Sequence, residues 1–402
     1  RTTGQETVLP SLGSGTVQEG TSGATLVTQL TSIPAYFKGH WVEVRRGESW
    51  LGTWRIGEIT GGTVTLAPND AEPIALQAGD GWQWIYRFDS VEAAGNAVLR
   101  STDPIRASTA DLSGPTEAGR YTELGEPLVA ETVVVSGNVS TPGITARTLT
   151  VKAGARLTSP ASTATEVKGL DLSISGVLTI EAGGSIDVTG RGYPAGATYS
   201  GIVESTYAGG SHLGVGGVAS SAAKALTYGS VQRPREAGSG AWGGWSMSGG
   251  GVMRIGATSI VMGGSTASIL ANGGSGGYNG GAGGSIWITA GTLTGDGLIE
   301  AAGGESEKRG GGGAVAIEYG ASSGTVLTRA NARGGGGGSP ETSGGAGTVV
   351  LKGPGQSYGT LRVDNEGTTG QETVLPSLGS GVAQEGTSGA TLVTQLTSIP
   401  AY

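Results

Sequence analysis

Few residues in this chain have the type and spacing that chemistry needs. His40 and His212 are the only histidines among 402 residues, and there is no cysteine. A thiolate nucleophile, a disulfide and a Cys-based zinc site are therefore excluded. No HExxH, CxxC, GxSxG or P-loop pattern occurs. Glycine-rich strings that mimic phosphate loops are inevitable with 80 glycines, and none leads into a convincing helix. Acid–base chemistry would fall to carboxylates: Glu166, Asp171, Glu181, Asp187, Asp296 and Glu300. Glycoside cleavage needs two carboxyl groups about 5–10 Å apart on one groove. Glu181 with Asp187, or Asp296 with Glu300, are the pairs on offer, and no Arg, Lys or His stands beside them in support. They are expected to be solvated carboxylates on strand faces. Asn69-Asp70 and Asp364-Asn365-Glu366 offer oxygens for calcium, but the spacing matches neither an EF-hand nor a nonapeptide array. No cofactor or metal is expected.

Aromatic side chains offer binding rather than reaction. Trp82, Trp84, Tyr86 and Phe88 alternate with other residues, so in a strand they share one face. That face is either a sugar-binding platform or the core of a small β-module. With only two phenylalanines in the chain, the core is expected to claim it. Trp242 and Trp245, in Gly-Ala-Trp-Gly-Gly-Trp, are harder to place in a core. They are the candidate contacts for a ligand or partner.

The elements that would position these residues are all strands. Residues 1–90 hold alternating β-branched and aromatic runs separated by turn residues, including Arg46-Gly47, Gly61-Gly62 and Pro68-Asn69-Asp70. They predict an aromatic-rich antiparallel β-barrel or sandwich. Residues 91–130 read as a connector, with a short helix at Val91–Arg100. Residues 131–367 read as a Gly-rich parallel β-helix or solenoid, with an insertion at about 190–250. Its clearest units begin at Val252, Ser285, Ala314 and Thr348, spaced 33, 29 and 34 residues apart. Second strands are expected at Ser268–Ala271, Gly297–Glu300, Thr325–Thr328 and Thr360–Val363. A rung cannot bury its apolar face alone, so successive rungs share one core. Gly313 and Gly347, each just before a first strand, are expected at tight corners. A rival reading packs the glycine runs as polyproline-II-like segments in a backbone sandwich.

Thr2–Tyr36 and Thr368–Tyr402 are the same sequence at 35 positions save two, where Thr16 and Val17 become Val382 and Ala383. Their offset is 366 residues, from Thr2 to Thr368. Recent tandem duplication explains this, so the chain reads as one period followed by residues 368–402 of the next. The net charge of −8 offers no basic stripe for nucleic acid. No apolar run is long enough to span a bilayer.

Leu170–Ile180, followed by Gly183-Gly184-Ser185-Ile186-Asp187-Val188, resembles the β-helical shafts of filamentous-haemagglutinin-like adhesins. The Gly-rich units around Ile286-Trp287-Ile288 and Ala316–Tyr319 resemble repeats of giant bacterial surface proteins. The resemblance covers roughly 131–367 and carries no site residues. It implies a secreted or cell-surface fibre whose partners are neighbouring repeats, identical chains and surface glycans. The alternatives are a carbohydrate- or receptor-binding module of the phage tail-tip kind, and a β-helical polysaccharide-degrading enzyme.

Overall fold

The computed structural model describes residues 6–67, 75–202, 205–219, 224–377, 380 and 384. The chain is all-β, with long parallel and mixed sheets. Among the described residues the helix is a single 3-10 turn at Ala35–Phe37. The chain divides into two compact units, residues 1–158 with 172–184 and residues 159–171 with 185–402.

The first unit opens with seven strands: β1 (Glu6–Val8), β2 (Ser14–Thr16), β3 (Thr25–Val27), β4 (Trp41–Arg46), β5 (Ser49–Thr60), β6 (Thr63–Ala67) and β7 (Gly81–Ala94). β4 pairs antiparallel with β5 and with β7, β5 with β6, β6 with β3, and β2 with the start of β7. The Gln18 amide donates to the Val27 carbonyl, which ties the segment after β2 to β3. Gly47 and Gly61 hold φ of 58° and 59° in the turns after β4 and β5, a left-handed conformation that glycine adopts without a Cβ clash. Alternation sends Val42, Val44, Trp54, Ile56, Val64, Leu66, Trp82 and Trp84 into one apolar cluster with Leu26 and Phe37. Arg46 clamps the buried Asp80 carboxylate through Nε and Nη2, at 2.8 and 3.0 Å. That bond, with the Gln77 amide, holds Asp80 below the usual carboxylate range against the effect of burial.

β7 belongs to two arrangements. Its first part, to Ile85, pairs with β4, and from Tyr86 onward it runs parallel to β9. Residues 91–130, expected as a connector with a helix, carry instead the end of β7 and the strands β8 (Val98–Arg100), β9 (Ile105–Ser113), β10 (Thr122–Leu124) and the start of β11 (Leu128–Val135). β12 (Asn138–Ser140), β13 (Gly143–Val151), β14 (Arg156–Thr158) and β15 (Gly169–Ile180) follow. Two parallel ladders result in this unit. In one, β9, β11 and β13 pair in register, stacking Ile105, Leu128 and Ile144, and Leu112, Val135 and Val151. In the other, β1, β8, β10, β12 and β14 pair in that order. Residues 101–104 and 114–121 of the expected connector are the links between β8, β9 and β10.

The second unit repeats the scheme with longer excursions. It holds β16 (Ser185–Asp187), β17 (Val252–Met262), β18 (Ser268–Leu270), β19 (Ser285–Gly295), β20 (Leu298–Glu300), β21 (Ala314–Ser323), β22 (Ala330–Asn331), β23 (Thr348–Lys352) and β24 (Thr360–Arg362). β17, β19, β21 and β23 are parallel, and Val252 pairs with Ser285, Ser285 with Ala314, and Ala314 with Thr348. The four unit starts expected from sequence are therefore the register of this ladder. Met253, Ile286, Val315 and Val349 form one buried column, and Ile255, Ile288 and Ile317 another. β16, β18, β20 and β22 form the companion ladder. Thr325–Thr328 is a turn rather than a strand. The chain pairs two residues later, at Ala330–Asn331, where Ala330 faces Ile299. β24 runs antiparallel to β23 and closes the ladder as a hairpin.

Between the strands, the glycine runs lie outside any ladder yet are densely hydrogen-bonded. Gly281 N donates to Gly274 O, Gly310 N to Gly304 O and Gly344 N to Gly335 O, within successive excursions. Gly283 N to Gly311 O and Gly312 N to Gly345 O join neighbouring ones. The insertion adds a further layer through Gly210 N to Gly280 O and Gly214 N to Gly312 O. A Cβ on Gly313 would lie 2.1 Å from Gly284 O, and one on Gly347 1.9 Å from Gly313 O. Neither glycine has positive φ. Their role is close backbone approach, not the strained corner expected from sequence.

Candidate functional site

Trp242 and Trp245 lie in the second unit on the 190–250 insertion, and both reach solvent, at 40% and 81% exposure. Tyr207 and Tyr278 join them as exposed aromatics of the same region. The backbone brings them together. Ala208 bridges Trp242, whose amide donates to Ala208 O at 3.2 Å. Tyr278 N donates to Trp245 O at 2.9 Å, and the Trp245 and Tyr278 rings stand 5.9 Å apart. Tyr207 covers Gly243, where an added Cβ would lie 3.1 Å from Tyr207 Cδ1. Asn279, buried beneath, donates from Nδ2 to Trp242 O and to Ser246 Oγ.

Two of these aromatics are held in an unusual backbone state. Tyr207 and Trp245 have φ of 54° and 55°, and among the described residues Glu366 is the one other non-glycine with positive φ. A bulky side chain in this region carries strain of about 1–3 kcal/mol, which the surroundings must hold in place. Here it is held while the rings stay in water. Exposed aromatic faces gathered in this way can stack on a sugar ring, an apolar group or a cation.

The alternating aromatics of β7 part company. Trp82, Trp84 and Tyr86 are buried, in keeping with the core reading, whereas Phe88 is 42% exposed. Phe88 lies beyond the switch of β7 from β4 to β9, outside the apolar cluster. It lines a groove of about 510 Å³ in the first unit with Trp50, Arg87, Asp89, Arg106 and Glu131. Arg106 is fixed there by a bidentate pair with Glu43 at 2.9 and 3.0 Å, and Arg87 stacks over Trp41 at 4.9 Å. Sequence inspection missed this groove because it is assembled from β4, β5, β7, β9 and β11 by register. The one available signal was an exposed-strand Trp50 beside a charged turn.

The acidic candidates each have hydrogen-bond or ion-pair partners of their own. Glu181 pairs with Lys152 at 2.8 Å and accepts from the Ala153 amide. Asp187 accepts from the Thr189 amide, Asp296 from Thr325 N and Oγ1, and Glu300 from Asn272 Nδ2. Asp171 lies 3.9 Å from Arg254, and Glu166 lies 3.6 Å from Lys168. Asp364 caps the Glu366 amide, and Asn365 bonds Gly334 N and Gly344 O. Asn69 and Asp70 lie outside the described residues.

His212 is fully buried against Tyr228, with ring centroids 5.0 Å apart. Its Nδ1 bonds Gly283 O at 2.9 Å, and Nε2 has no partner. Tyr228 Oη donates to Ala237 O, Ser239 Oγ to Ser211 O, and Ser285 Oγ to Glu236 O. Each of these side chains closes a backbone carbonyl of the glycine lattice. Burial pushes the imidazole pKa down, so the ring is a neutral structural wedge.

No family model, curated protein or solved structure matches the chain. Among the described residues, no helix is long and apolar enough to cross a membrane.

Proposed function

We propose that this chain is one period of a tandem-repeat structural fibre, displayed on a bacterial surface or secreted as an adhesin stalk. In this reading the antiparallel strands form a closed β-barrel, the parallel ladders form a solenoid, and the glycine excursions form a backbone sandwich alongside it. The observation that carries the proposal is the near-identity of Thr2–Tyr36 and Thr368–Tyr402. In-register columns of Ile, Val and Leu supply stiffness, because parallel stacking directs backbone hydrogen bonds along one axis. The test is the gene. Sequence encoded beyond Tyr402 should continue with a near copy of Phe37 onward. An unrelated continuation overturns the repeat reading.

A second reading, attachment through the aromatic cluster, is favoured by the exposure and positive φ of Trp245. It makes the chain a binder of surface glycans as well as a spacer. Stacking contributes about 0.5–2 kcal/mol per ring. Trp245→Ala should then weaken glycan-array binding several-fold and leave thermal stability unchanged or raised. Equal binding by the wild type and by Trp242→Ala/Trp245→Ala would remove the cluster from any recognition role.

A further inference from the structure

The two copies of one short segment, Glu-Thr-Val-Leu at Glu6–Leu9 and Glu372–Leu375, have different partners in the two units. In the first copy, β1 is the terminal strand of its ladder and runs parallel to β8, with Thr7 opposite Leu99. Leu9 N donates to Arg100 O. Backbone groups of a strand alternate between its two edges, so Thr7 and Leu9 face β8, while Glu6 and Val8 face the outer edge, which pairs with no strand among the described residues. In the second copy, Thr373 bridges Gly214 antiparallel. There the bonds come from the other set of residues. Val374 N donates to Leu213 O, Glu372 O accepts from Val215 N, and Val374 O accepts from Thr227 Oγ1.

Glu372 and Val374 correspond to Glu6 and Val8, and Thr373 and Leu375 to Thr7 and Leu9. The two hydrogen-bond sets thus lie on opposite edges of the same segment; the Thr373–Leu375 edge is engaged at its start, where Gln371 N donates to Ser343 O, and is offered to a further segment from Thr373 onward. We propose that Glu372–Val374 is a two-sided joint. One edge is held by Leu213–Val215 of its own period, and the other accepts the Val98–Arg100 strand of the following period. Equally, the outer edge of β1 is the docking site for Leu213–Val215 of a preceding copy. Val8 is 66% exposed and its counterpart Val374 42%, as expected if β1 lacks the cover that the second copy has. An unpaired strand edge of this kind is a template for one more segment. The inference rests on the tandem-fibre proposal and specifies how its periods connect.

The test is residue-resolved hydrogen–deuterium exchange on two proteins: the 402-residue chain, and the same chain extended after Tyr402 by a second copy of residues 37–402. In the shorter chain Leu9 and Val374 should exchange slowly, and Val8, Thr373 and Leu375 fast. In the extended chain Thr373 and Leu375 should slow at least about tenfold, with Val374 still slow. Unchanged Thr373 and Leu375, or their protection at the expense of Val374, would overturn the joint. Electron microscopy of the extended chain separates this from the parent proposal. A particle lengthened by one period without the exchange pattern rejects only the joint, whereas one that is not lengthened rejects the fibre.

Discussion

The chain's conspicuous residues are mostly occupied with backbone. His212 is the plainest case. Its neutral ring is buried, and its folded pKa lies below the ordinary 6.5. Above about pH 6.5 both folded and unfolded forms hold the ring neutral, so its contribution to stability is complete there. As pH falls below that value the unfolded chain takes up a proton that the folded chain resists, and stability declines. The thermal midpoint of the wild type should drop between pH 7 and pH 5, and His212→Gln should flatten that drop. An identical slope in the variant would contradict the assignment. Glycine offers a second test. Gly313→Ala forces a methyl against Gly284 O and should destabilise by about 1–3 kcal/mol or more. Gly244→Ala has nothing within 4 Å and no positive φ, so it should leave the melting temperature unchanged. At this scale the sequence singled out Trp242 and Trp245, and it missed the cations that stand beside the carboxylates, Lys152 at Glu181 and Arg333 at Glu300. It did not reveal that Gly313 serves close approach, because glycine looks the same whether it permits a positive φ or a close contact. Nor could it show Tyr207 and Tyr278 beside the tryptophans, since that neighbourhood is made by the glycine lattice.

Strands were legible where their spacing was regular. The starts at Val252, Ser285, Ala314 and Thr348 are the register of a parallel ladder, because the same alternation recurs with glycine on either side. Residues 91–130 were not legible as strands. There Ile105 pairs with Leu128 and Leu128 with Ile144, so the steps are shorter and unequal and no period stands out. Thr325–Thr328 misled because Thr-Val-Leu-Thr has β-propensity, yet Val326 buries its side chain from within a turn. Propensity of this kind yields to packing. The ladder makes a quantitative claim about Ile288, which is fully buried and paired between Ile255 and Ile317. Ile288→Ala should cost about 2–5 kcal/mol in denaturant unfolding. Thr289→Ala, at an exposed position of the same strand, should stay within about 0.5 kcal/mol. Similar losses for both would mean that the two faces of β19 are not distinguished as described.

For the molecule as a whole, the repeated segment matters most. Glu372–Val374 is tied to Leu213–Val215 and Thr227, and Thr373 Oγ1 donates to Ala346 O, close to β23. The described start of the second copy is therefore seated on the insertion and on the excursion that leads into β23, and among the described residues no hydrogen bond joins it to the terminal strand β24. Its remainder, residues 378–402 apart from 380 and 384, lies outside the described residues, and with it the comparison of the two full copies. The all-β class was legible from alternation alone, whereas the partner of the repeated segment was not, because so short an extended segment does not say which edge it will use. The most direct test of the fibre account is particle length against period number. Chains of one, two and three periods, imaged by electron microscopy, should lengthen by a constant increment at constant width. A width that grows with each added period, or beads that pivot freely about their joints, would contradict it.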